Sequence, residues 1–114
     1  MIGIYKITNT NNGKVYIGQT NNIEVRKDQH FSALQKGKHE NKYMQKDYNL
    51  TPNGWTFEVL EECPLVLLNT QERYWINFYR SDDAAHGYNL TKGGGSRKRY
   101  YKGRPTSLLD ELTG

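Results

Sequence analysis

The sequence predicts an α+β domain: a small, three-stranded, mainly antiparallel sheet flanked by helices. Three observations lead there. Residues 2–7, 15–18 and 55–60 alternate with a period of two and are rich in β-branched and aromatic side chains, as strands are. The stretches between and after them, near residues 21–35, 41–49 and 65–80, carry the three-to-four-residue spacing of helices. The chain has 114 residues and no internal repeat, which suits one domain of ordinary size.

The first two strands read as a hairpin. Ile2, Ile4 and Lys6 alternate with Gly3, Tyr5 and Ile7, and Val15 and Ile17 alternate with Tyr16 and Gly18. Between them lie Asn9, Asn11, Asn12 and Gly13, residue types that tolerate positive φ and close tight turns. If Tyr5 faces Tyr16, residues 8–13 form the connection. If Asn12 and Gly13 make a two-residue turn, the register shifts by an even number of residues. Either way both phenols project from one face. By spacing alone they form an aromatic cross-strand pair that stiffens a sheet.

Thr20 or Asn21 caps a helix that runs to about residue 35 and stops before Gly37. Glu24 and Asp28 near its start, and Lys36 and Lys38 at its end, suit the helix dipole. Ile23, Arg26, His30 and Leu34 share one face, so a guanidinium and an imidazole sit between two apolar positions. An arginine stem lying along a core edge, with His30 as its satisfied neighbour, accounts for that pattern. A turn at 37–41 contains His39. A second helix over 41–49 buries Tyr43, Met44 and Tyr48. Pro52 and Gly54 punctuate the loop before the third strand, whose inward face is Trp55, Phe57 and Val59.

A longer helix within 65–80 places Leu68, Glu72, Trp75, Ile76 and Tyr79 on one side. Glu72 is the anomaly, because a buried unpaired charge is costly and needs a partner. Two readings fit. Asn69 and Glu72 have capping-box spacing, so Glu72 returns to the Asn69 amide; or Glu72 lines a cavity and meets a cation. Gly87-Tyr88-Asn89-Leu90 then enters a flexible stretch, Gly93 to Ser96. The domain boundary falls there, with a domain over 1–95 and a basic tail or start of a linker over 96–114 that includes a short helical turn at 108–112.

Composition narrows the class. Hydrophobic residues make up 35% of the chain, which leaves a small core, and nine tyrosines supply apolar area with a hydroxyl. No apolar run approaches a membrane span, and the N-terminus lacks a signal peptide's apolar segment, so a cytoplasmic protein is expected. The lone Cys63 excludes an intramolecular disulfide and a cysteine zinc cluster. Residues 1–91 hold ten basic and ten acidic side chains, so the net charge of +4 resides in the stretch from Lys92 onward, which includes the tail. Within the body, residues 1–55 carry eight basic and four acidic groups and residues 56–91 carry two and six. A polyanion would be drawn to the first half and the tail.

Gly3-Ile4-Tyr5 and Tyr16-Ile17-Gly18 are followed in order by Arg26, His30, Gly37-Lys38-His39, Glu72 in a later helix, and Gly87-Tyr88-Asn89. This ordered set resembles the signature of the GIY-YIG nuclease family over about residues 1 to 95. The resemblance implies the GIY-YIG endonuclease fold and a DNA endonuclease that hydrolyses phosphodiester bonds with a divalent metal, Mg²⁺ or Mn²⁺. It implies that Tyr5, Tyr16, Arg26, His30 and Glu72 are catalytic, with Glu72 the metal ligand and Gly3, Gly18, His39 and Asn89 in support.

Phosphodiester cleavage needs an activated water, a positive charge on the developing phosphorane and a stabilised leaving oxygen. One motif carboxylate suits one hydrated metal ion. The planar fork of Arg26 suits a phosphate. Tyr16 matches the tyrosine proposed as base in the family, although its ordinary pKa of about 10 must fall. His30, near 6.5, either accepts the proton from Tyr16 or is the base itself. The compact domain looks most like the catalytic part of phage or intron homing endonucleases, either as a fragment or as a small stand-alone nuclease. DNA is the expected partner, no obligate protein partner is evident, and Arg97, Lys98, Arg99, Lys102 and Arg104 of the tail would add sequence-independent affinity. The alternative from another class is a catalytically inactive nucleic-acid-binding module. Glu72 discriminates, since it would repel DNA in a pure binder.

Overall fold

The middle of the sheet is its first strand, β1 (Gly3–Asn9), which pairs antiparallel with β2 (Lys14–Thr20) on one side and β3 (Trp55–Glu62) on the other. This computed structural model describes residues 1–94. The expected DNA-binding residues Arg97, Lys98, Arg99, Lys102 and Arg104, and the helical turn at 108–112, lie outside them. The hairpin takes neither expected register. A four-residue connection at 10–13 sets Tyr5 opposite Gly18 and Ile7 opposite Tyr16. Asn9 closes it by accepting from the backbone N–H of Asn12 and Gly13, and Gly13 sits at φ 80°. Tyr5 and Tyr16 are therefore diagonal neighbours on one face, with ring centroids 6.5 Å apart.

The third strand also departs from the expected alternation, in which Val59 faces inward with Trp55 and Phe57. Ile4 faces Glu61 and Tyr5 faces Val59, so Leu60 is an extra residue in a bulge. Leu60 turns to the opposite face and packs into the core there, while Val59 is 40% exposed. Gly3 permits this close approach, because a Cβ at that position would run into the Glu61 carbonyl.

Two small cores result, one per face. On one face Ile4, Val15 and Ile17 pack with Cys63, Leu68 and Ile76. On the other, Tyr5 and Ile7 pack with Leu34, Met44 and Tyr88. The first helix, α1 (Ile23–Lys36), is capped by Asn22, not Thr20 or Asn21; the Asn22 side chain accepts from the Val25 N–H, and Gly37 ends the helix at φ 73°. The second, α2 (Lys42–Leu50), is capped by Asn41 and buries Met44 and Gln45, with Tyr43 and Tyr48 only partly covered. A 3₁₀ turn at Leu65–Leu67 leads directly into α3 (Leu68–Tyr79). So α1 and α2 cover one face and α3 the other. Among the described residues, no helix is long and apolar enough to cross a membrane.

The free edge of β2 is closed in an unusual way. Val15 bonds to His86 and Tyr88 through its backbone, forming a parallel bridge with Gly87. One step on, the Asn89 side chain replaces a strand: its Oδ1 accepts from the Ile17 N–H at 2.9 Å and its Nδ2 donates to the Ile17 carbonyl at 2.8 Å. Among the described residues this backbone cover ends there, beside Gly18 and Gln19.

Candidate active site

The end of β2 beyond the Asn89 contact is where the motif side chains meet. Tyr5 and Tyr16 come from the face covered by α1, and α1 places Arg26 and His30 over them because four residues make just over one turn. Tyr5 is buried, and its ring stacks on Phe57 at 5.1 Å. Its Oη lies over Gly18, where a Cβ would collide with the phenol. The glycine of the second tripeptide is thus the floor under the tyrosine of the first. Tyr16 is half-buried, with its ring 5.5 Å from that of His30.

A chain of hydrogen bonds leaves Tyr5. Its Oη lies 2.6 Å from His30 Nε2, His30 Nδ1 lies 2.7 Å from His39 Nε2, and the Asn41 backbone N–H donates to His39 Nδ1 at 3.0 Å. The two imidazoles are stacked, with centroids 5.0 Å apart. Burial first, then the charge of Arg26 and the second imidazole, hold His30 down to about 3, so it is neutral at ordinary pH. His39 is lowered by burial and Arg26 as well, with Glu40 opposing.

The phenols are shifted the other way. Burial, with Tyr16 adding to it and Arg26 opposing, raises Tyr5 well above its ordinary value. Tyr16 is pushed up to about 12 by burial and then by the negative charge of Glu72, again against Arg26. Arg26 is half-buried, and its Nη1 also donates to Gln29 at 3.1 Å.

Glu72 reaches this end of the sheet from the opposite face, on α3. The capping-box reading fails: α3 begins at Leu68 without a side-chain cap, and Glu72 points to β2. Gln19 Nε2 donates to Glu72 Oε1 and to Asn69 Oδ1, both at 2.9 Å. The Gly94 N–H donates to the same Glu72 oxygen at 2.7 Å, and Arg73 holds the Gly94 carbonyl at 2.8 Å. The stretch expected to be flexible therefore begins seated: Gly93 is buried, at φ 81°, and a Cβ there would press on Ile76 and Glu72. Both bonds fall on Oε1, so among the described residues Oε2 receives neither of them. No group of three His, Cys, Asp or Glu side chains suited to a metal ion occurs among the described residues. One carboxylate oxygen fits a hard cation that keeps most of its waters and takes further oxygens from a phosphate.

Sequence reasoning missed three amides that build this site: Gln19, Asn41 and Gln45. Gln19 directly follows the second tripeptide, and Asn41 carries an N-cap signal. Gln45, buried in α2, accepts from the His39 N–H at 2.9 Å and donates to the Leu34 carbonyl at 3.0 Å, and nothing in its spacing marks it.

Two tyrosines, an arginine and a neutral histidine pair above one strand end, with a lone carboxylate below it, define a class of protein, and comparison with known proteins gives the same class. Residues 1–89 match the GIY-YIG catalytic domain, and the chain belongs to the GIY-YIG family. Among individual proteins it is similar to Intron-associated endonuclease 1 of Enterobacteria phage T4, with 38% identity over 90 residues, covering 77% of this chain and 36% of that protein. The chain thus spans about a third of that relative's length. It is also similar to two solved structures. The catalytic domain of homing endonuclease I-TevI superposes with a TM-score of 0.74 at 35% identity, over 80% of this chain and 99% of that one. A mutant of the catalytic domain of intron endonuclease I-TevI gives 0.73 at 35% identity, over 81% and 95%. These matches bear out the expected family and the α+β fold.

Proposed function

We propose that this chain is a divalent-metal-dependent DNA endonuclease of the homing type or a small stand-alone relative, with residues 1–95 as its catalytic domain. The observation that carries the proposal is the convergence of Tyr5, Tyr16, Arg26 and Glu72 on the end of β2, from both faces of the sheet. A scissile phosphate docked beside Tyr16 would meet the Arg26 guanidinium, whose charge matches the developing phosphorane and persists at all working pH. Tyr16, the less enclosed of the two phenols, is positioned to take the proton from an attacking water once its own phenolic proton has passed to solvent, a loss that the Arg26 charge favours and that burial and Glu72 oppose. Tyr5, walled in by Gly18, Phe57 and His30, holds the geometry.

Glu72 would hold the ion through Oε2, with Gln19 and Gly94 fixing the carboxylate. A divalent cation held there would supply Lewis-acid charge to the phosphate and would offset the Glu72 charge that raises Tyr16. The basic side chains of the tail, residues 96–114, add affinity for the DNA backbone in this reading.

The test is supercoiled plasmid incubated with the protein in Mg²⁺ and in EDTA, beside the variant Glu72→Gln. Nicking should require the cation and disappear in the variant, with the fold unchanged by circular dichroism. Equal nicking by the variant, or nicking that persists in EDTA, sinks the metal assignment.

A further inference from the structure

The hydrogen-bond chain from Tyr5 to Asn41 has only one consistent set of protons. A backbone N–H can donate but not accept, so His39 Nδ1, which takes the Asn41 N–H, carries no proton. A neutral His39 then carries its proton on Nε2 and donates to His30 Nδ1. His30 Nδ1 is therefore bare, its proton is on Nε2, and it donates to Tyr5 Oη. The opposite direction would leave His39 accepting at both nitrogens, an imidazolate. A doubly protonated His30 would set two N–H groups against each other at the His39 contact.

The anchor of the chain is built with care. Asn41 is 7% exposed; its Oδ1 accepts from the Met44 N–H and its Nδ2 donates to the Tyr88 carbonyl at 2.7 Å. Gln45 grips the backbone N–H of His39 and ties it to the end of α1 through the Leu34 carbonyl. The second helix thus holds the loop bearing His39 at both ends.

We propose that Asn41 and Gln45 are positioning residues for the cleavage reaction: the Asn41 backbone N–H, held in place by its own side chain and by Gln45, fixes the protons of His39 and His30 so that His30 donates to Tyr5 and cannot act as the general base. The proposal rests on the reading of this cluster as the nuclease centre. It decides between the two base assignments that the residues alone leave open. The Nε2 atom that would have to accept a proton already carries one, and releasing it would require both rings to change tautomer against an amide that cannot. That leaves Tyr16 as the base, with its own phenolic proton passing to solvent and not to His30.

The tautomers can be read without any turnover. Long-range ¹H–¹⁵N correlation spectra of the ¹⁵N-labelled chain at pH 7 should show His30 and His39 both protonated at Nε2 and bare at Nδ1. A proton on Nδ1 of either ring, or a doubly protonated His30, overturns the proposal even if the chain proves to be an efficient nuclease. The second arm is Gln45→Met, which keeps the volume and removes the grip on His39. The Nδ1-protonated form of His39 should appear, and plasmid nicking at saturating DNA should slow on the order of ten- to a hundredfold, the range expected for a misplaced catalytic group, with KM unchanged. Loss of turnover while both rings keep the Nε2 proton would make Gln45 merely structural and overturn its positioning role, as would a variant with wild-type tautomers and turnover. If wild-type protein nicks nothing while the tautomers are as stated, the nuclease reading fails and the proton assignment stands.

Discussion

Mild acid should destabilise this domain before its carboxylates titrate. His30 has an ordinary value of 6.5 and is held down to about 3 in the fold, first by burial and then by Arg26 and His39. The groups that face it are the phenols of Tyr5 and Tyr16 from the sheet, Arg26 from its own helix and His39 from the following loop. Because the folded value lies below the unfolded one, its stabilising contribution is complete above pH 6.5 and is lost as the pH falls towards 3. In that interval the unfolded chain binds a proton that the folded chain refuses. Each pH unit is worth about 1.4 kcal/mol, so about 2 kcal/mol disappears between pH 6.5 and pH 5. His39, lowered too, acts in the same direction. Glu24 and Asp83, held below their ordinary values of 4.5 and 3.8, contribute only at lower pH. Two kilocalories is a large share of the roughly 5–15 kcal/mol that holds a small domain together. The assay is urea unfolding followed by the fluorescence of Trp55 and Trp75, at pH 7 and pH 5, for wild type and for His30→Gln. The variant keeps a donor for Tyr5 and cannot titrate, so its loss of stability between the two pH values should be smaller by about 2 kcal/mol. Equal losses would mean that His30 charges freely in the folded state and that the reasoning is wrong.

Three further outcomes follow from the geometry. Gly18→Ala places a methyl group against the Tyr5 phenol and should cut plasmid nicking about a hundredfold in a folded protein; wild-type nicking would show that Tyr5 can move without cost. Asn89→Ala strips both backbone groups of Ile17 of their partners and should cost about 2–4 kcal/mol, read by urea unfolding; an unshifted midpoint would mean that water serves the edge equally well. A chain ending at Gly95 loses five of the six basic residues that lie beyond residue 91 and should bind duplex more weakly with a shallower salt dependence, yet still nick at high DNA concentration; equal salt slopes would free the tail from any DNA contact.

Much of the fold is legible from periodicity, because alternation and helical spacing follow directly from which side of an element faces the core. The three strands and three helices fall close to where the pattern puts them. What escapes is register and closure. Tyr5 pairs with Gly18 because the turn closes on the Asn9 backbone carbonyl, which accepts from the Asn12 and Gly13 N–H groups, one choice among several turns that asparagine and glycine all allow. The Leu60 bulge depends on Gly3, fifty-odd residues away, and so flips Val59 outward without a local sign. In the site, the titratable and motif residues stand out in the sequence, whereas Gln19, Asn41 and Gln45 do not. Amides neither titrate nor set a period, and their value lies wholly in partners brought near by folding. The capping-box reading of Glu72 fails for the same reason, since Gln19 and Gly94 compete from outside the helix.

The late closing of β2 has a consequence for how the protein is made. Ile17 emerges from the ribosome long before Asn89, and Glu72 before Gly94, yet each pair is joined in the finished domain. A nascent chain that has reached residue 80 already contains every side chain assigned to the chemistry. It still lacks the amide that completes the sheet edge and the peptide that steadies the carboxylate. A chain stopped at residue 80 therefore lacks both late contacts, and the closed sheet edge and the steadied carboxylate form only once Gly94 has been made.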